Sequence, residues 1–260
     1  MGLTIDYGLR LPESAPSSEV EGILLKLSEE AGQMQHQGLL TQVSDLRHFS
    51  TGEIQAEQDN RGSKWQWAAI QSSLLIYHQS RAIRVAPIEG YLFRTWFGPG
   101  CEEANFGLMR YPPMIEVPGE GSDEMQNIAT GPTAWRWHSF CKTTHAAQPV
   151  QAHLSVIALL DKATEFGLDV EVHDEGDYWE NRDVVALARN FTSDAMMLSA
   201  LAASLSSALS DDTSLQAPIM ERGDYPELAE KGLAAWRAAT GQTTIAVLRA
   251  LRRAQEESQE

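Results

Sequence analysis

Apolar residues alternate with smaller or polar ones from Leu3 through Ile5, Tyr7 and Leu9 to Leu11, which predicts a half-buried strand. Pro12 and Pro16 end it. Ser17 and Ser18 then offer a cap for a helix whose apolar positions Val20, Ile23, Leu24, Leu27 and Ala31 recur at three and four. Gly38 breaks that period, and 39–49 reads as a second strand. Residues 50–64 are polar, with Gly52, Asp59, Asn60 and Gly62, and read as an exposed connection. Leu74–Tyr77, Ile83–Ala86 and Tyr91–Phe97 are strand candidates. The turn Gly98-Pro99-Gly100 sends the chain back antiparallel through Ala104–Arg110. The prolines and glycines of 112–133 predict a long irregular excursion, and Trp135–Thr144 a further strand.

From Pro149 the period changes to helical and should end near Gly167, with Leu168–His173 a short strand. Asp183–Leu209 reads as helix with a break near Asn190. Pro218, Gly223 and Pro226 mark a loop before two last helices, 227–239 and 244–255. This order predicts an α+β fold: a mainly antiparallel sheet with helices on one face. The expected core is a split β-α-β, ferredoxin-like unit with an inserted sheet extension over about 50–133. Residues 1–215 form the α+β domain in this reading, and 216–260 a helical C-terminal appendage.

The charge changes the picture more than the composition does. There are 36 acids against 20 Lys and Arg, a formal net charge of −16, which argues against nucleic acid as a partner because phosphate binding needs clustered cations. No apolar run reaches the ~20 residues of a membrane span, and the N-terminus lacks the pattern of a signal peptide. With two cysteines, Cys101 and Cys141, no disulfide scaffold is expected, and a reducing cytoplasm is the expected home.

The acids concentrate between Asp161 and Asp183, nine of them against Lys162 and Arg182. Two readings stand. In one, Asp174, Glu175 and Asp177 hold a divalent cation or supply an acid/base pair, since carboxylates suit hard cations. In the other the segment is a solvated turn whose acids favour the start of the next helix. Tyr178 and Trp179, between Asp177 and Glu180, either anchor the turn or line a binding pocket beside it.

On the strand 135–144, alternation puts Trp135, Trp137, Ser139, Cys141 and Thr143 on one face, with the two tryptophans expected to be mostly buried against Leu154, Ile157 and Ala158. Arg136, His138, Phe140 and Lys142 take the other face, where His138 and Lys142 would present cations. Alternation sends Cys141 away from His138, so a Cys–His hydrolase is not expected, and Cys141 reads as a core residue. The glycines around Cys101 fit no phosphate-binding motif and read as a rigid hairpin connection. The seven scattered histidines lack the spacing of a zinc hydrolase, so no cofactor is expected beyond that one candidate cation.

The stretches GCEEANFGL (100–108), WRWHSFCKT (135–143), HLSVIALLD (153–161) and DEGDYWENRD (174–183), with the opening MGLTI, together resemble a family of uncharacterised bacterial hypothetical proteins. The resemblance spans about 1–12 and 85–210. It implies that these segments belong to one recurring unit, and it implies no activity or catalytic residue.

The leading expectation is a cytoplasmic, non-catalytic accessory or regulatory protein that meets a basic protein partner through its acidic face. The alternative is a hydrolase built on the 174–180 carboxylates, with Glu103, His138, Lys142 and Glu175 in catalytic roles if they converge in a cleft. The last helix carries Arg249, Arg252 and Arg253 beside Ile245, Leu248 and Leu251, a pattern expected to dock on the chain's own acidic surface or on a second copy.

Overall fold

The computed structural model describes residues 3–79, 81–118, 125–131, 134–208 and 217–240. The elements run β1 (Thr4–Leu11), α1 (Ser17–His36), β2 (Gln42–Val43), β3 (Arg47–Ser50), α2 (Thr51–Asp59), α3 (Gln66–Gln71), β4 (Leu74–His78), β5 (Arg81–Val85), β6 (Glu89–Trp96) and β7 (Glu103–Arg110). They continue with β8 (Met114–Pro118), β9 (Met125–Ala129), β10 (Trp135–Lys142), α4 (Pro149–Glu165), β11 (Asp169–Asp174), α5 (Tyr178–Asn181), α6 (Val184–Ala208) and α7 (Tyr225–Thr240). The fold is α+β. The main sheet is antiparallel in the order β11-β1-β10-β7-β6-β2, with β3 also on β6.

Strand parity decides what the sheet buries. Ile5, Tyr7, Leu9 and Leu11 of β1 stand opposite Cys141, Ser139, Trp137 and Trp135 of β10, and all eight are buried. Phe106 of β7 stacks on Tyr7 and on Phe93 of β6, continuing that layer across the sheet. Onto it pack the apolar stripes of α1 (Val20, Leu24, Leu27, Ala31) and α4 (Val156, Ile157, Leu160, Ala163). Both tryptophans are thus buried on one side, as alternation predicts. Their surroundings differ from expectation: the Trp135 indole N–H donates to the Ala15 carbonyl just before α1, and Leu154 packs instead near Leu3, Leu187 and Phe191.

Helices are not confined to one face. The polar stretch 50–64, expected to be a bare connection, holds α2, started by a capping box in which Ser50 and Glu53 satisfy each other's backbone N–H groups. With α3 it covers the opposite face over β3 and β6, burying Phe49, Ile54, Trp65 and Leu92. The expected single strand over 39–49 is two short ones, β2 and β3. The expected irregular excursion contains the two-stranded ribbon β8–β9, and β4–β5 forms another small ribbon beside the main sheet. Ser17 and Ser18 do not cap α1, whose N-cap position is Pro16. α6 runs unbroken through Asn190, whose side-chain amide reaches the Gly176 carbonyl at 3.4 Å. The last predicted helix, 244–255, lies outside the described residues.

Two features follow from this arrangement. Among the described residues the second face of the β11-β1-β10 half is left open, so Arg10, His138, Asp169, Glu171 and His173 reach solvent. Also, β10 and β7 pair at Arg136 and Met109 and meet again where the Glu102 N–H donates to the Lys142 carbonyl, 3.2 Å. Between these points the Asn105 carbonyl accepts from the Tyr7 hydroxyl (2.8 Å) and the Trp137 indole N–H (2.6 Å), side chains standing in for strand partners. Among the described residues no helix is long and apolar enough to cross a membrane.

Candidate functional site

The acidic segment splits into one buried carboxylate and a solvated remainder. Parity along β11 puts Asp174 on the same face as Val170 and Val172, and its side chain is fully inaccessible. One carboxylate oxygen accepts the Gly176 N–H at 2.7 Å. The other accepts the Tyr178 and Trp179 N–H groups at 2.8 and 2.9 Å. His153, on the buried face of α4, brings Nε2 to 3.0 Å from Asp174 Oδ1, in a contact too bent for a straight hydrogen bond. Its Nδ1 lies 3.0 Å from the Thr143 hydroxyl, which follows β10. Burial raises the Asp174 carboxyl, and His153 with the backbone donors outweighs it, leaving the group below its ordinary value.

The sequence Thr143–His153–Asp174 has the connectivity of a nucleophile–base–acid relay. All three residues are buried, however, and the Asp174 lone pairs are committed to the turn. The chemistry this geometry performs is bracing: it fixes a turn in which Asp177 and Arg182 both adopt left-handed backbone, at φ 58° and 54°. Gly176 is required there, since an added Cβ would meet Leu187 at 2.7 Å and Asp174 and His153 at 3.1 Å.

The other expected site residues take distinct places. Glu175 accepts the Thr4 N–H at 2.8 Å, while Asp177 and Glu180 point to solvent. Tyr178 and Trp179 are half-buried against the core, with the Arg182 guanidinium 4.7 Å from the Trp179 ring centre. Arg182 is held by a bidentate pair to Asp161, both bonds 2.8 Å. Among the described residues, no group of three His, Cys, Asp or Glu side chains is arranged to hold a metal.

His138 and Lys142 both lie on the open face of β10. His138 is exposed, with Nε2 3.8 Å from Asp6. Lys142 and Glu175 flank Thr4 from the strands on either side of it. Glu103 is bound by both arms of Arg94 on the α3 side of the sheet. His138 lines one cavity and Glu103 another, so these two do not share a cleft.

Sequence reading missed two juxtapositions. Cys101 and Cys141, forty residues apart, are both buried with their sulfurs 3.7 Å apart, and Cys141 donates to the Glu102 carbonyl at 3.2 Å. Arg10 and Arg136 are direct cross-strand partners on the open face. The parity of each residue is visible in the sequence; the register that joins them is not. No protein-family model, curated protein or solved structure matches the chain.

Proposed function

We propose that the chain is a non-catalytic accessory or regulatory protein that docks a basic protein partner on the acidic edge of its sheet. The observation that carries this reading is β11. Among the described residues it is the outermost strand, paired to β1 alone, and Asp169 and Glu171 stand exposed along it. Exposed Glu175, Asp177, Glu180 and Asp183 follow directly. An unpaired edge offers a row of backbone donors and acceptors to an added strand, and the carboxylates select for Lys and Arg on the incoming segment. A net charge of −16 steers such a partner in and keeps like-charged chains off the same edge. The platform we propose is a ferredoxin-like split β-α-β core, supported by the order β11-β1-β10-β7 and by α1 and α4 packing together on one face. We further propose, on the four quoted stretches, that the chain belongs to the bacterial family they resemble.

The test uses a short peptide of alternating Lys and Val as the probe. Hydrogen exchange should show new protection at 169–174, weakening as salt is raised. The double variant D169K/E171K should lose that protection while melting as the parent does. Equal protection in the double variant, or none on β11, would remove the reading.

A further inference from the structure

Where the open face of β1 and β10 meets the end of α3 and the start of β4 there is a cavity of 690 Å³. Ligand pockets span about 300–1,000 Å³, so this one has room for a small metabolite. Arg10, Arg136 and His138 line its sheet side, and Gln71, Ser73 and Tyr111 face them. Among the described residues no carboxylate lines it, in a chain that carries 36.

The cations there are incompletely neutralised. Arg10 and Arg136 are register partners, and like charges directly opposite on one face repel. Glu171 reaches Arg10 at 2.5 Å, in an exposed pair. Among the described residues none forms an ion pair with Arg136. Its Nη2 donates to the Thr130 carbonyl at 3.2 Å, and its Nε is buried without a partner. The guanidinium carbon sits 5.0 Å from the centre of the Tyr111 ring, which is fixed in turn by its hydroxyl donating to the Ser72 carbonyl.

The facing wall is also set up to donate. Ser73 Oγ accepts from Gln58 Nε2 at 2.9 Å, so its own proton is free to point elsewhere. Gln71 Oε1 accepts from Asn105 Nδ2 at 2.8 Å, which leaves the Gln71 amide N–H groups as its remaining polar function. Leu74 and Leu75 add apolar surface.

We propose that this cleft binds a phosphorylated small molecule with a flat apolar body. The phosphate sits between the two guanidinium groups, taking the N–H groups that Glu171 and the Thr130 carbonyl leave over, and it relieves their mutual repulsion. The body lies along Leu74 and Leu75. Neither the acidic edge nor a protein partner enters this inference.

The probe is phenyl phosphate, with inorganic phosphate and phenol as controls, titrated into the full chain and followed by amide chemical shifts. Phenyl phosphate should bind at least about tenfold more tightly than either control, with shifts centred on Ser73, Arg136 and His138. R136Q should weaken it at least about tenfold with an unchanged melt, and R136K, which keeps charge without the fork, by less. If R136Q lowers the melt, R10Q at the exposed partner gives the same reading. Three results would each overturn the proposal. These are undiminished binding in the variants, shifts centred instead on Arg47, Lys64 and Arg94, which line the separate cavity that holds Glu103, and no saturable binding at millimolar probe.

Discussion

Asp174 shows how much one buried group decides. Three backbone N–H groups and one histidine converge on it, so removing the carboxylate orphans several donors at once. Asp174→Ala should cost about 3–5 kcal/mol in a urea melt at neutral pH, the range for breaking a buried pair from one side. The sign with pH follows from its lowered pKa. A depressed carboxylate contributes its stabilisation in full above the ordinary range and loses it as pH falls through the folded value. Asp174→Asn should therefore be least stable relative to the parent at neutral pH, and the gap should close on acidification. A gap that stays constant with pH would assign the stability to shape alone. The thiols carry a second prediction at this scale. The adjoining Cys101 thiol and burial push the Cys141 thiol well above its ordinary value, so little thiolate exists. Alkylation of Cys141 in mildly alkaline buffer should run at the unfolding rate. A rate like that of a free thiol would contradict this packing.

At the scale of elements, α2 rests on its cap more than on its apolar face, because Ile54 is its one buried residue among the nine of the helix. Ser50→Ala should cost about 0.5–2 kcal/mol and raise hydrogen exchange over 51–59 first; unchanged exchange there would show that packing against β3 suffices. The capping pair was legible in the sequence, since Ser and Glu stand three apart, and the polar surroundings masked it. Alternation or helical period predicted β1, α1, β4, β5, β6, β7, β10, α4, β11, α6 and α7, and the clearest of these, β1, α1, β6, β7, β10 and α4, carry buried residues along their whole length. The β8–β9 ribbon escaped because its strands bury little beyond Val117, leaving no period to read. The site was half legible. Parity alone groups Asp174 with Val170 and Val172 and Thr143 with the tryptophans, but which strand lies beside which is set by long-range pairing that leaves no local trace.

For the whole molecule, the joint between α6 and α7 tests how the C-terminal part belongs. Leu187 and Phe191 near the start of α6 pack with Leu3, whereas Ala195 and Ala202 further along pack with Ile219 and Leu228. The helices approach so closely at Gly232 that an added Cβ would lie 2.1 Å from the Met196 carbonyl oxygen. Gly232→Ala should detach α7, seen as lost exchange protection over 225–240 with protection of the sheet intact. Simultaneous loss in the sheet would make α7 part of the main core. Truncation at residue 220 should likewise leave a cooperative melt and raise self-association in sedimentation, because the apolar side of α6 loses its cover. Loss of the melt would end the division at residue 216.

The place of β1 has a consequence for how the chain is made. β1 leaves the ribosome ahead of both strands that flank it, β10 and β11, with Thr4 opposite Lys142 and Asp6 opposite His173. At ~5–20 residues per second, roughly 10–30 s pass before both neighbours have been synthesised. Through that interval Ile5, Tyr7 and Leu9 are an unpaired hydrophobic strand within reach of other nascent chains. Slow translation should thus harm yield, and a holdase that shields β1 should restore it. Relocating β1 to a position after β11 would remove most of that wait.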